Sequence, residues 1–353
     1  MCGFGWRGLV CASLLFAMAA GAAALAQEAR FFRIGTAATA GRFFEIGGVV
    51  ASAISSPPGS PTCVYGGSCG VPGLLAVAQT TQGSLENLRQ INNGQLESGF
   101  AQADLAGWAY SGSNIFADAG AMQRLRAIAS LFPEALHLVV RAESPIRRVA
   151  DLRGKTVALG EPGSGTLAST RTLLAAMGLD ETTLTRKYLR PALTIDELRA
   201  GTIDAFFLIG VGPMAPIREL AGTTPIRLVP IDDEILHALE KAHPVYSRTI
   251  IAAGSYRGVE GATVSVGCAA LWVAGAGVEA DLIYAITKAL WNDATERLLS
   301  ASNPIGARVR REGALTGLSL PLHPGAERYY REAGMPMGDL PRLPDQPRED
   351  GRK

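Results

Sequence analysis

Excess charge is what this chain most lacks. Lys and Arg number 33 against 32 Asp and Glu, and charged residues make up only 18% of the sequence. That balance removes the electrostatic footprint that nucleic acids or anionic membrane surfaces require, so neither is expected as a partner. Histidine is scarce as well: His137, His237, His243 and His323 fall in different segments with no nucleophile nearby. No paired carboxylates, no G-x-S-x-G elbow and no metal-ligand spacing occur. The expectation is a protein that is not an enzyme and that holds neither metal nor cofactor.

Long apolar runs are missing too, except at the start. Arg7 precedes an unbroken apolar and small-residue stretch from Leu9 to Ala24, and Ala24-Leu25-Ala26 is an A-x-A cleavage signal before Gln27. Residues 1–26 are therefore read as a cleaved signal peptide, and the mature protein as exported to the periplasm. The next apolar run, Val266 to Val278, is too short to span a membrane and is followed by Glu279 and Asp281. Of five cysteines, Cys2 and Cys11 leave with the signal. Cys63 and Cys69 enclose VYGGS in a loop rich in proline and glycine. In an oxidising compartment a disulfide is preferred there over free thiols or zinc. Cys268, in an apolar run, reads as a buried inert thiol.

The remaining length exceeds what one hydrophobic core organises, which argues for two domains. In TVALGEPGSGTLASTRTLLAAMG (residues 156–178) a short strand runs into a glycine loop and then a helix that ends at Gly178. Ser164 or Thr166 is the natural cap, and the free amides of the first turn make a seat for a carboxylate or phosphate. A nucleotide loop is not supported, because Thr166 stands where G-x-x-x-x-G-K-[ST] needs lysine. A tight turn that binds nothing is the plain alternative. The arrangement recurs at Thr36–Gly41, Thr81–Ser84 and Gln102–Asp104, each a strand running into a small or hydroxyl-bearing turn and a helix. Such alternation predicts a mainly parallel sheet with helices on both faces, and ligands outside the carboxyl ends of the strands. Expected strands include Leu125–Leu131, Ala135–Arg141 and Val264–Val273, and SPIRRVADLRG reads as a helix. Residues 27–140 with 235–334 form one lobe and 141–234 the other. The prolines and charges after Met335 suggest a disordered tail over 335–353.

The segments RIGTAATAGRFFEIGG, TTQGSLENLRQINNGQLESGFAQADLA, HLVVRAESPIRRVADLRGKTVALGEPGSGT, GTIDAFFLIGVGP and PLHPGAERYYREAG follow in order. Over residues 32–334 the chain resembles the solute-binding proteins of TRAP transporters, in their TAXI (TRAP-associated extracytoplasmic immunogenic) branch. The resemblance implies a type II periplasmic binding fold, two α/β lobes hinged about a cleft. It also implies capture of a small anionic ligand by hinge closure and its delivery to a membrane permease; a monomer is the expectation, with a dimer also open. The implied ligand is an organic acid or amino acid, with glutamate or a C4–C5 dicarboxylate foremost. A periplasmic sensor docking to a receptor kinase is the alternative.

Carried over by position, the ligand loops are Thr36 and Thr39 with Arg42, Phe43 and Phe44; Ser84 with Asn87; Gln102 with Asp104; Gly163, Ser164, Gly165 and Thr166; and Phe207 with Gly210. The family's first loop usually carries more glycine and a Thr-Tyr-Tyr-Pro-like stretch where this chain has Arg42-Phe43-Phe44-Glu45. Arg42 is either a substitute carboxylate partner or an exposed helix residue. Asp104 can equally be a helix cap, and Asn87 can face solvent. Only one of Phe206 and Phe207 can face the cleft, since successive strand side chains alternate. His323 and Tyr329 are read as docking the last segment.

Overall fold

The computed structural model describes residues 29–342 apart from 40, 62, 64–68 and 339, so the signal-peptide assignment and the last part of the tail lie outside the described residues. In chain order come β1 (Arg30–Gly35), α1 (Arg42–Ile54), the short pair β2 (Ser55–Ser56) and β3 (Val71–Pro72), β4 (Leu74–Gln79), α2 (Ser84–Asn92), β5 (Ser98–Gln102) and α3 (Ala103–Ser111). β1 runs parallel to both β4 and β5, the pairing that helical crossovers permit. α1 buries Phe43, Ile46, Val50 and Ile54, a stripe at helical spacing, against this sheet.

β6 (Leu125–Arg141) is a single strand of 17 residues where the sequence suggests two. Proline normally interrupts a ladder because it cannot donate. Here Pro133 stands where the strand changes partners: residues 125–135 pair with β12 (Thr263–Gly275), and from Ala135 onward β6 pairs with β9 (Ala205–Gly210). The second lobe contains β7 (Thr156–Ala158), α4 (Gly165–Ala176), β8 (Thr185–Lys187), α5 (Pro191–Ala200), β9, α6 (Ala215–Thr223) and β10 (Ile226–Leu228). SPIRRVADLRG forms only a 3-10 turn, Val149–Leu152, and not the expected helix. α7 (Asp233–Ala242) and β11 (Ser247–Ile251) follow, then β12, α8 (Ala280–Leu290), α9 (Asp293–Ser302) and α10 (Pro324–Glu332).

One mixed sheet runs through the molecule in the order β4-β1-β5-β12-β6-β9-β7-β8, with β10 on β6 and β11 on β12. Two α/β lobes therefore share two long strands, β6 and β12, and the expected α/β class with two lobes is the one observed. α7 packs on α4, and Ile251, Tyr256 and Val259 join Phe206, Leu208 and Ile217 in a cluster of the second lobe. The stretch before β12 thus makes these contacts with the second lobe, although the sequence reading places residues 235–334 in the first. Met335, Met337 and Leu340 pack against the main core, so the tail is ordered through at least that point. Cys63 and Cys69 are joined, and Asn292 Nδ2 donates to the Cys69 carbonyl at 3.2 Å, tying the loop to the start of α9.

Trp272 of β12 anchors the first lobe. It is fully buried, meets Phe32 and Phe100 edge-on, and donates Nε1–H to Ser98 Oγ at 3.1 Å. Trp272→Ala removes that packing and the Ser98 partner together, so a loss of about 3–5 kcal/mol in a denaturant melt is expected. A loss below about 1 kcal/mol would contradict this account. Peptide mapping without reduction is expected to recover Cys63 and Cys69 in one linked species, and free thiols in exported protein would refute the bridge.

Candidate ligand cleft

The ladder register brings the carboxyl ends of β5 and β9 to the middle of the two shared strands. Gln102 at the end of β5 faces Ala270, Gly210 at the end of β9 faces Ala135, and Glu134 faces Cys268. The residues between the lobes are therefore Gln102 and Asp104 from one side, the α4 start from the other, and Glu134 beneath.

The α4 start forms as the sequence suggests. Ser164 Oγ accepts from Leu167 N at 3.2 Å and donates to the Glu161 carbonyl at 2.7 Å. Thr166 Oγ1 accepts from Ile209 N at 3.2 Å, which joins the helix start to the end of β9. The amides of Gly165 and Thr166 have no partner within the helix, as at any first turn. The Gln102 side chain packs directly on Gly165: a Cβ there would lie 1.3 Å from Gln102 Oε1 and force that side chain to move. The Gln102 carboxamide thus fills the space over the helix start. A small open pocket lies on the second-lobe side, between Ser164, Thr166, Thr194 and Phe207.

Asp104 is not the helix cap that sequence suggests; Gln102 holds that position. Its fully buried carboxyl takes Leu105 N at 2.7 Å, Tyr246 OH at 2.5 Å, Ser169 Oγ at 3.0 Å and the Cys268 thiol at 3.8 Å. Ser169 lies on α4, so Asp104 links α3 to the helix facing it. Burial pushes its pKa up against these donors, and pushes the Cys268 thiol and Tyr246 phenol well up.

Other expected residues serve the frame. Thr36 Oγ1 donates to the Gln79 carbonyl at 2.7 Å, and the Thr36 carbonyl receives Asn87 Nδ2 at 2.8 Å. Asn87 is completely buried, not solvent-facing. Ser84 is the first helical residue and not the cap, with Gly83 before it, and its Oγ accepts from Gln102 N at 3.2 Å. Phe43 packs edge-on with Phe100 at 5.8 Å and belongs to the core. Phe206 and Phe207 are both buried, in different clusters. Thr39 is exposed, Phe44 half-buried, and Gly163 sits half-buried with φ +83°. Arg42 bonds Glu45 at 2.6 Å and reaches across to the Pro213 carbonyl at 2.8 Å. Its guanidinium thus joins α1 to the turn after β9. His323 caps α10 through Nδ1, and Tyr329 packs on Tyr284, docking the last segment.

The sequence reading missed Glu134 and the network behind it. His137 Nδ1 contacts the Ala135 carbonyl at 3.0 Å, and its Nε2 lies 3.0 Å from Tyr256 OH, which accepts from Met214 N at 2.9 Å. Tyr256 must then donate to Nε2, which places the imidazole proton on Nδ1. Burial lowers His137 to about 4 and raises Tyr256 to about 12. Burial also raises Glu134 to about 8; the nearby Gln102 amide offsets this in part and the Asp104 charge adds to it. An acid inside an apolar run was the available signal.

Two outcomes are expected. Gly165→Ala forces Gln102 out of its place and alters the cleft while leaving α4 intact, since alanine suits this helical position. Unchanged ligand affinity in that variant would contradict the packing described. Folded Glu134 keeps a proton that the unfolded chain surrenders near 4.5, so its contribution is full below about 4.5 and is lost as pH rises to about 8. His137 works in the opposite sense, losing stability as pH falls from 6.5 to about 4. Glu134→Gln is therefore expected to flatten the fall in melting temperature between pH 6.5 and 8 and to leave the acid limb in place. An unaltered alkaline limb would refute this.

Among solved structures, the chain is similar to the periplasmic aliphatic sulphonate binding protein SsuA from Escherichia coli, at 15% identity and TM-score 0.43, covering 86% of this chain and 83% of that one. It is also similar to the alkanesulfonate-binding protein SsuA from Xanthomonas axonopodis pv. citri, at 19% identity and TM-score 0.44, covering 88% and 85%. A histidine kinase sensor domain with similarity to periplasmic binding proteins matches at 15% identity and TM-score 0.46, covering 80% and 96%. Among the described residues no helix is long and apolar enough to cross a membrane. Residues 34–334 match the NMT1-like family, to which this chain belongs.

Proposed function

We propose that the protein is the periplasmic substrate-binding subunit of a TRAP transporter, in the TAXI branch that the sequence motifs resemble. It captures a small organic acid or amino acid between the lobes and delivers it to the membrane permease without chemical change. The observation that carries this reading is the convergence of β5, β9 and the α4 start on the two shared strands. Polar groups of both lobes meet there, so a ligand touching both favours the closed arrangement over the open one.

In this reading the Gln102 carboxamide, which occupies the space over the α4 start, turns aside so that the first-turn amides receive a ligand carboxylate, and Ser164 and Thr166 hold that turn in place. Thr36, Ser84 and Asn87 fix the opposite wall, with Gln102 reaching across. A hydrogen bond to a charged carboxylate contributes about 1.5–3 kcal/mol, against about 1 for a neutral pair. Binding to such a seat therefore favours anions at modest cost to the lobes. Two buried carboxyl groups beneath it are tolerable because burial favours their protonated forms.

A thermal-shift screen tests the proposal, using mature protein unfolded and refolded to strip bound ligand, against amino acids and mono- and dicarboxylates. A ligand at about 100 times its Kd adds roughly 2.7 kcal/mol and raises the melting temperature by a few degrees. Ser164→Ala and Thr166→Ala are expected to weaken the hit several-fold by calorimetry while remaining folded. A panel with no hit would refute the reading, and unchanged affinity in both variants would remove the α4 start from the site.

A further inference from the structure

The sheet register sets Glu134 at the floor of the cleft, between the ends of β5 and β9. Its side chain is only 5% exposed, and Oε2 has no hydrogen-bond partner. Gln102, 2% exposed, leaves both Nε2 and Oε1 without a hydrogen bond of ordinary geometry although it lies near Glu134. Asp104 differs, since its oxygens are taken by Tyr246, Ser169, Leu105 and Cys268. No cation is paired with either carboxyl among the described residues. A buried acceptor left unpaired is costly, so a partner supplied from outside gains selectivity.

We propose that Glu134, with its unpartnered Oε2, forms a subsite for a protonated amine beside the Gln102 carboxamide, making Glu134 a specificity-determining residue that separates amino acids from acids lacking the amino group. This rests on the cleft being the ligand site, as proposed above. The ligand's carboxylate then lies at the α4 start and its ammonium beneath, toward β6. The two halves of a zwitterion meet complementary ends of one site. Where Glu134 is protonated beforehand, the ammonium–carboxylate pair forms as the carboxyl proton leaves to solvent, and no other bond is made or broken. The neighbours facing Glu134 are Gln102 on β5, Asp104 on α3, Cys268 on β12 and the Gly210–Met214 turn, none of them a cation.

The test compares matched probes by calorimetry on stripped mature protein: L-glutamate with glutarate, L-aspartate with succinate, and L-alanine with propionate. At least one amino acid is expected to bind roughly tenfold to a hundredfold more tightly than its deaminated partner. Glu134→Gln, close in shape, is expected to bring that ratio to within about threefold of unity, while deaminated acids bind as before or better. A wild-type ratio near one overturns the subsite and leaves the cleft reading standing. Silence across all three pairs overturns both. Binding that follows sodium concentration and ignores the amine also overturns the subsite, as does a ratio that survives in folded Glu134→Gln. The wild-type ratio decides the matter even if the variant does not fold.

Discussion

Two strands belong to both lobes, and the rest of the molecule follows from that. β6 and β12 lie side by side, and each continues from one lobe into the other. A backbone pair within a sheet must keep its hydrogen bonds. The lobes therefore cannot slide past one another, and their relative freedom is confined to bending and twisting of one ladder. The register shifts of this ladder, where Leu131 and Ile128 of β6 are the extra residues opposite Ala270–Leu271 and Trp272–Val273, fall on the first-lobe side of that crossing. Irregularities of this kind increase local twist and re-aim side chains.

The same crossing explains where the polar groups gather. Strand ends carry unpaired backbone groups and helix starts, and here the ends of β5 and β9 approach the crossing from opposite sides. Whatever stands on β6 at that point is enclosed by both lobes and cut off from water. Glu134 stands there, and its burial disfavours charge. Asp104 meets the same penalty with a different answer, a ring of donors from its own helix, α4, β12 and the turn before β11. One acid is thus a structural link between α3 and α4, and its neighbour keeps an oxygen without a hydrogen-bond partner.

Much of this was legible in the chain. The strand–helix alternation, the cap at Ser164, the stripe of α1 and the Cys63–Cys69 pair follow from local chemistry, and local chemistry is what a sequence displays. The failures share a cause: tertiary partners overrule local signals. Pro133 looks like a break, yet the strand persists because the ladder changes partner there. Asp104 looks like a cap, yet Tyr246, far along the chain, claims its oxygen. Arg42 looks free for a ligand, but it is engaged by Glu45 and the Pro213 carbonyl. SPIRRVADLRG has a helical pattern but only one turn of helix. Glu134 was the most informative omission, since an acid inside LFPEALHLVV has no local reason to be there.

The Arg42–Pro213 contact has a further use. It is a point at which a side chain from α1 touches the turn after β9, far along the sequence. Any change in the angle between the lobes alters that separation more than it alters distances near the shared strands, as the tip of a lever moves more than its pivot. Paired optical labels near these two positions would report the angle directly.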